Sequence, residues 1–393
     1  CSEAGRPMAS TRLVGGLAYL SFTAYAIGMT ILGPSWAFIA RDYLLSPAEV
    51  GLLASVVGIG FCSTLLGGVA SDRAGKKAIL CSGLGLAAVG QLTIGLSPSV
   101  EVFAVGLFAA GIGSGLFEAA VNPLVSDMFP SRKGFALNSM HLFWGVGAFM
   151  GPMIAGTILS TLGLWRVSFL VGSAVLAASA LAFLATPLGS SRSGEALDLR
   201  RVLQTLRSRS LVSLGLACAI IWGAEIALAT WFVLFTMWER GFGLTEASYT
   251  LAAMGAAMAL GRLLWSLTSD KLGNILTVQL CGAAAGLLVA SASSIHMAPA
   301  TMALFFLSAL FYSGGVPTII AVACAQHPAS SGLASGAMLF AGNLGGILLP
   351  AMVGLIAQGA TIYSGILVVS LLLFAVPVFT LRLRKARVSA SVG

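Results

Sequence analysis

The sequence predicts an all-α membrane protein, with twelve transmembrane helices arranged as two pseudo-symmetric six-helix bundles. Three observations predict it. Of the 393 residues, 58% are hydrophobic and 9% charged. Soluble domains carry roughly 25% charged residues, so the solvent for most of this chain is lipid. Twelve largely apolar runs are each long enough for a bilayer crossing of about 20 residues. The second half of the chain repeats the first at one constant offset.

Breaks at charge, Gly and Pro place the spans near 13–39, 50–70, 78–97, 102–126, 135–161, 167–186, 211–238, 247–268, 275–295, 299–325, 333–358 and 361–381. They are numbered 1 to 12 below. The 48 glycines fit this reading, because small residues let transmembrane helices approach closely. The longest polar interval, 187–210, acts as a cytoplasmic linker between bundles at 8–186 and 211–385. Within it Leu199, Val202, Leu203 and Leu206 recur at helical spacing among Arg200, Arg201, Arg207 and Arg209. That is the pattern of a helix resting on anionic headgroups.

A shift of 198 residues aligns Asp72 with Asp270, Gly75 with Gly273 and Pro130 with Pro328. The same shift aligns Met140 with Met338, Gly147 with Gly345, Pro152 with Pro350 and Gly156 with Gly354. Gly and Ala match easily by chance in such a chain, but Asp and Pro in register do not. A parallel duplication of two six-helix units is a known transporter plan.

Charge placement sets the orientation. With the N-terminus in the cytoplasm, 17 of the 21 Lys and Arg fall on that side, Arg41, Arg166 and Arg240 fall outside, and Arg262 lies within a span. This is the positive-inside bias. It explains the net charge of +8 without a nucleic-acid partner. Both termini are then cytoplasmic, as expected in a bacterial inner membrane. Met8 is read as the native start, and residues 1–7 as a remnant or leader. The six cysteines have no short metal-ligand spacing and read as small packing residues. No metal, cofactor or enzymatic constellation is expected, and the protein is expected to be monomeric.

The loop after span 2 reads Gly68-Val-Ala-Ser-Asp72-Arg73-Ala-Gly75-Lys76-Lys77. Gly75 permits a tight turn and Asp72 suits a helix start. The second copy, Ser266-Leu-Thr-Ser-Asp270-Lys271-Leu-Gly273, is degenerate. Span 5 carries Gly147-Ala-Phe-Met-Gly151-Pro152. These motifs closely resemble the major facilitator signatures, over residues 12–385. The resemblance implies that Gly68, Asp72, Arg73, Gly75, Lys76 and Asp270 belong to an inward gate, and Arg262 at span 8 is grouped with them.

A narrower resemblance rests on Glu118-Ala-Ala-Val-Asn122-Pro123 in span 4, His141 and Trp144 in span 5, and Trp222-Gly-Ala-Glu225 with Trp231 in span 7. This is similar to the fucose–glucose/galactose proton symporter branch. It implies sugar uptake with a proton, the span-4 acid coupling the two. The sugar-transporting members carry Asn-Asp in helix 1 where this chain has Met29-Thr30, and a helix-5 Gln where it has His141.

The residues themselves point the same way. Glu118, Glu225 and Arg262 are the charged residues inside the spans. A charge at mid-bilayer costs about 2.5–3.5 kcal/mol on insertion scales, so it faces water or a partner. Asn122 and Asn343 also need polar partners there. The solute-binding or proton-coupling candidates are therefore Glu118, Asn122, His141, Trp144, Glu225, Trp231 and Asn343. With Arg262 as the sole basic residue in the spans, a di- or trivalent anion is not expected, and the resemblance implies a small polar uncharged solute such as a sugar, moved with protons by alternating access. A proton-driven exporter of cationic or amphiphilic compounds is the alternative.

Overall fold

The computed structural model describes residues 10–129, 133–188, 208–327 and 331–390. The described residues hold twelve helical spans, beginning at Thr11–Asp42 and ending at Ile362–Leu381. The expected ends agree with them to within a few residues. The expected headgroup helix around Leu199–Leu206, together with Pro130 and Pro328, lies outside the described residues.

Three spans are interrupted, which the hydropathy pattern does not foretell. Span 1 consists of Thr11–Thr30 and Leu32–Asp42. Pro34 has no N–H to give the Thr30 carbonyl, so the helical ladder lapses there. Span 10 consists of Ala298–Tyr312 and Gly315–Gln326, and Pro317 stands in the same relation to Ser313. Span 2 consists of Pro47–Phe61 and Thr64–Ala74. At its break Ser63 donates its hydroxyl to the Ile112 carbonyl of span 4, at 2.9 Å.

By internal contacts the chain forms two compact units: Cys1–Ser35 with Val56–Glu195, and Trp36–Ser55 with Ala196–Gly393. In the first unit, small residues bring backbones together. Gly83 and Gly90 of span 3 face Gly113 and Ala110 of span 4. A Cβ at Gly83 would stand 2.5 Å from the Phe117 nitrogen. In span 5, Gly147 and Gly151 rest against Thr23 and Thr30 of span 1. The glycine–proline motif thus sets how closely spans 1 and 5 approach.

The second unit repeats this contact. Gly345 of span 11 rests on the Ala219 carbonyl of span 7, and a Cβ at Gly223 would stand 2.6 Å from the Gly345 oxygen. The start of span 2 also packs in this unit. Ser55 donates to the Ile347 carbonyl at 2.6 Å, and a Cβ at Gly51 would stand 2.7 Å from the Pro350 oxygen. The duplicated loops match as well: Gly75 has φ +90° and Gly273 has φ +89°, the backbone region that favours glycine.

Candidate functional site

Span 4, Val100–Met128, carries Glu118 and Asn122 one turn apart. Glu118 is half-buried. Its carboxylate lies close enough to the phenol of Tyr25 on span 1 for the two to interact. The Asn122 amide donates to the Glu118 backbone carbonyl at 2.9 Å. Tyr25 stands among rings, 5.4 Å from Phe117 and 5.7 Å from Phe22, centroid to centroid. His141 meets the same Phe22 edge-on at 5.1 Å. Trp144 packs on the apolar cluster that contains Phe22, Tyr25 and Phe117. The first unit therefore gathers Glu118, Asn122, His141 and Trp144 around one aromatic group, with Tyr25 at its centre.

The second unit gathers a different set. Glu225 is buried near the middle of span 7, Arg209–Arg240. Arg262 from span 8, Leu244–Leu272, places a guanidinium nitrogen 3.8 Å from a Glu225 carboxylate oxygen. The charges of both act on the Tyr312 phenol, at the end of the first segment of span 10. Arg262 is ten residues from the end of its helix and pairs inside the span. Asn343 is buried in span 11. Trp231 is fully buried and donates its indole N–H to the Pro350 carbonyl at 3.0 Å. That bond ties span 7 to span 11 and does not expose the ring to a solute.

At the loop motif, Lys76 pairs with Asp127 at the end of span 4. Lys77 donates to the carbonyls of Leu184 and Thr186 at 2.9 and 2.8 Å. Those are orphan carbonyls at a helix C-terminus, where a cation is favoured. Both lysines thus bind protein groups. Arg73 is exposed and Gly68 has open space around its Cα. Asp72 and Asp270 lie in helical backbone, and their side chains are outside the described set.

Tyr25, Tyr312 and Asp127 belong to these clusters and were not among the sequence candidates. A phenol inside a span needs a partner for its hydroxyl, and that signal was available for both tyrosines.

A family model described as Major Facilitator Superfamily matches residues 18–350. A cis,cis-muconate transport protein of Acinetobacter baylyi is 24% identical, over 89% of each chain. A gentisate transporter of Corynebacterium glutamicum is 23% identical, over 90% of this chain and 82% of its own. Among solved structures, a bacterial homolog of the human lysosomal transporter Spinster, in an inward-facing and occupied conformation, superposes with a TM-score of 0.81. It has 17% identity over 97% of this chain and 98% of its own. The Escherichia coli fucose:proton symporter FucP superposes with a TM-score of 0.65, at 20% identity over 95% and 98%.

Proposed function

This chain belongs to the Major Facilitator Superfamily, and from that membership we propose that it is a proton-coupled secondary transporter in which Glu118 carries the proton. It is a multi-pass integral membrane protein and a transporter, not an enzyme. The observation that carries the proposal is the place of Glu118 inside span 4, ten residues from its C-terminal end and beside the Tyr25 phenol. An ionisable group at that depth marks a transport pathway by default. A phenol both donates and accepts, so Tyr25 serves Glu118 with or without its proton. The two halves then alternate access to a site near the bilayer midplane. The protein works as a monomer in a bacterial inner membrane, with both termini cytoplasmic.

Two observations support a small organic acid as the solute. Arg262 stands beside Glu225 within its span, and one guanidinium is enough to neutralise one carboxylate. The relatives' names also specify acids, cis,cis-muconate and gentisate. The sugar reading keeps one observation in its favour, the span-4 pattern Glu118-x-x-x-Asn122-Pro123. Proteoliposomes separate the possibilities, with gentisate, cis,cis-muconate, fucose and galactose as solutes. Counterflow and accumulation under a pH gradient are measured side by side. Glu118→Gln mimics the protonated acid permanently, so it keeps counterflow and loses the part of gradient-driven accumulation that the Glu118 proton supplies. Full accumulation by Glu118→Gln removes this residue from proton coupling.

A further inference from the structure

The second acid of the membrane interior is built like the first, with the parts exchanged. In the first half the phenol, Tyr25, is on span 1 and the acid, Glu118, on span 4. In the second half the acid, Glu225, is on span 7 and the phenol, Tyr312, on span 10. The 198-residue offset pairs span 1 with span 7 and span 4 with span 10. It maps Glu225 onto Ile27, two residues from Tyr25, and Tyr312 onto Ser114, one turn from Glu118. Each half therefore carries one acid and one phenol on the same pair of helices.

The halves differ by one charge. The offset maps Arg262 onto Thr64, whose hydroxyl donates to the Phe61 carbonyl at 2.6 Å. Among the described residues the second cluster holds an arginine and the first does not, and the 3.8 Å separation of Arg262 from Glu225 exceeds the roughly 2.7–2.9 Å of a tight charged hydrogen bond. The pair is not sealed either: Arg262 keeps 21% of its side chain accessible and Glu225 10%. Span 10 breaks directly after Tyr312, and span 8 lies against that break. Trp265 donates to the Leu310 carbonyl at 3.0 Å, and a Cβ at Gly261 would meet that same carbonyl.

We propose that Arg262 and Tyr312 form the binding site for a carboxylate of the solute, and that Glu225 is a built-in carboxylate that occupies Arg262 while the site is empty. When Glu225 takes up a proton its charge is cancelled, and the solute carboxylate replaces it on Arg262. One proton and one carboxylate enter together, so the net charge of the cluster is unchanged. A loose ion pair suits this exchange, because a well-made buried pair would resist opening. Arg262 and Tyr312 are the charged and titratable groups that spans 8 and 10 bring to Glu225. Span 11, and span 12 between Ser364 and Leu381, contain none. The assignment rests on the transport reading above but is tested by binding alone.

The experiment uses the purified full chain and titrates gentisate, cis,cis-muconate and gentisamide, the last being the gentisate ring with a neutral amide. Calorimetry and the ligand-induced shift in melting temperature are the readouts. The wild-type protein binds a carboxylate and not the amide, more tightly at pH 6 than at pH 8. Glu225→Gln, which removes the competitor, binds at least about fivefold more tightly at pH 8 and loses most of the pH dependence. Glu225→Gln with Arg262→Gln removes both charges, so no buried charge is stranded, and abolishes carboxylate binding. Retention of wild-type carboxylate affinity by that double variant overturns the proposal. So does equal binding of gentisate and gentisamide, or no carboxylate binding by either wild type or Glu225→Gln. A failure of Glu118→Gln to separate counterflow from accumulation strikes the proton role of Glu118 and leaves these binding outcomes as they are.

Discussion

Lys76 keeps 9% of its side chain accessible, while its partner Asp127 keeps 54%. The two ends of this ion pair are therefore not equivalent. Removing Asp127 takes a partner from a buried ammonium group. Removing Lys76 leaves a carboxylate that water can solvate. Asp127→Asn is expected to lower stability by about 1–3 kcal/mol, and Lys76→Met by under about 1 kcal/mol. Thermal unfolding in one detergent, wild type beside both variants, measures the order, and the reverse order would show that the pair is solvated from the other side. The same asymmetry decides what the sequence discloses about single residues. Glu118, Glu225 and Arg262 stood out because a charge inside an apolar run is rare. Asp127 did not, because it falls at the end of span 4, where a charge looks ordinary. Tyr25 and Tyr312 were passed over because a tyrosine counts as apolar until its hydroxyl partner is known. Trp231 drew attention by its ring, and its hydrogen bond to the Pro350 carbonyl is a tertiary contact between residues 119 positions apart, which no local pattern contains.

Pairs of helices are held by the absence of side chains as much as by their presence. Along spans 3 and 4, a Cβ at Gly90 would stand 2.7 Å from the Ala110 Cα, and one at Gly106 would stand 2.9 Å from the Ile94 nitrogen. Backbone atoms cannot rotate out of the way, so even one methyl group forces the helices apart. Gly85 lies on the same span with nothing within 4 Å of its Cβ position. Gly90→Ala is therefore expected to destabilise the protein by about 1–3 kcal/mol through overpacking. Gly85→Ala is expected to be neutral, or to stabilise by up to about 1 kcal/mol, since glycine is a poor helix residue. Melting temperatures of the two variants check this, and equal effects would mean that spans 3 and 4 are not in close backbone contact. The spans themselves were legible because lipid demands about 20 apolar residues and the sequence supplies them in twelve stretches. The breaks in spans 1, 2 and 10 were not, since hydropathy averages over the residues that make them. Pro34 and Pro317 were the visible signs, and a missing N–H takes effect four residues upstream, at a position that looks unremarkable.

The whole chain is governed by its duplication and by the distribution of its charges. Gly75 and Gly273 share one backbone conformation at equivalent loops. Gly147 and Gly345 share one packing role at equivalent helix pairs. Loops that are equivalent in a parallel repeat of six spans emerge on the same side of the bilayer, because an even number of crossings separates them. The loops at Arg73–Lys77 and at Lys271 must therefore face one way. The loops at Glu101 and at Arg166 are reached by odd numbers of crossings from them and must face the other. Lys and Arg number 17 on the first side and three on the second, and positive charge is retained in the cytoplasm. Cysteines introduced singly at Lys271 and at Glu101, both exposed positions, test this in a background from which the six cysteines of the sequence have been removed. A membrane-impermeant maleimide is expected to label the cysteine at position 101 in intact cells. The cysteine at position 271 should be labelled in inverted vesicles alone. Labelling of both from the same side would break the even count of spans between the loops. A clean exchange of the two patterns would keep the twelve spans and reverse the orientation, placing both termini outside.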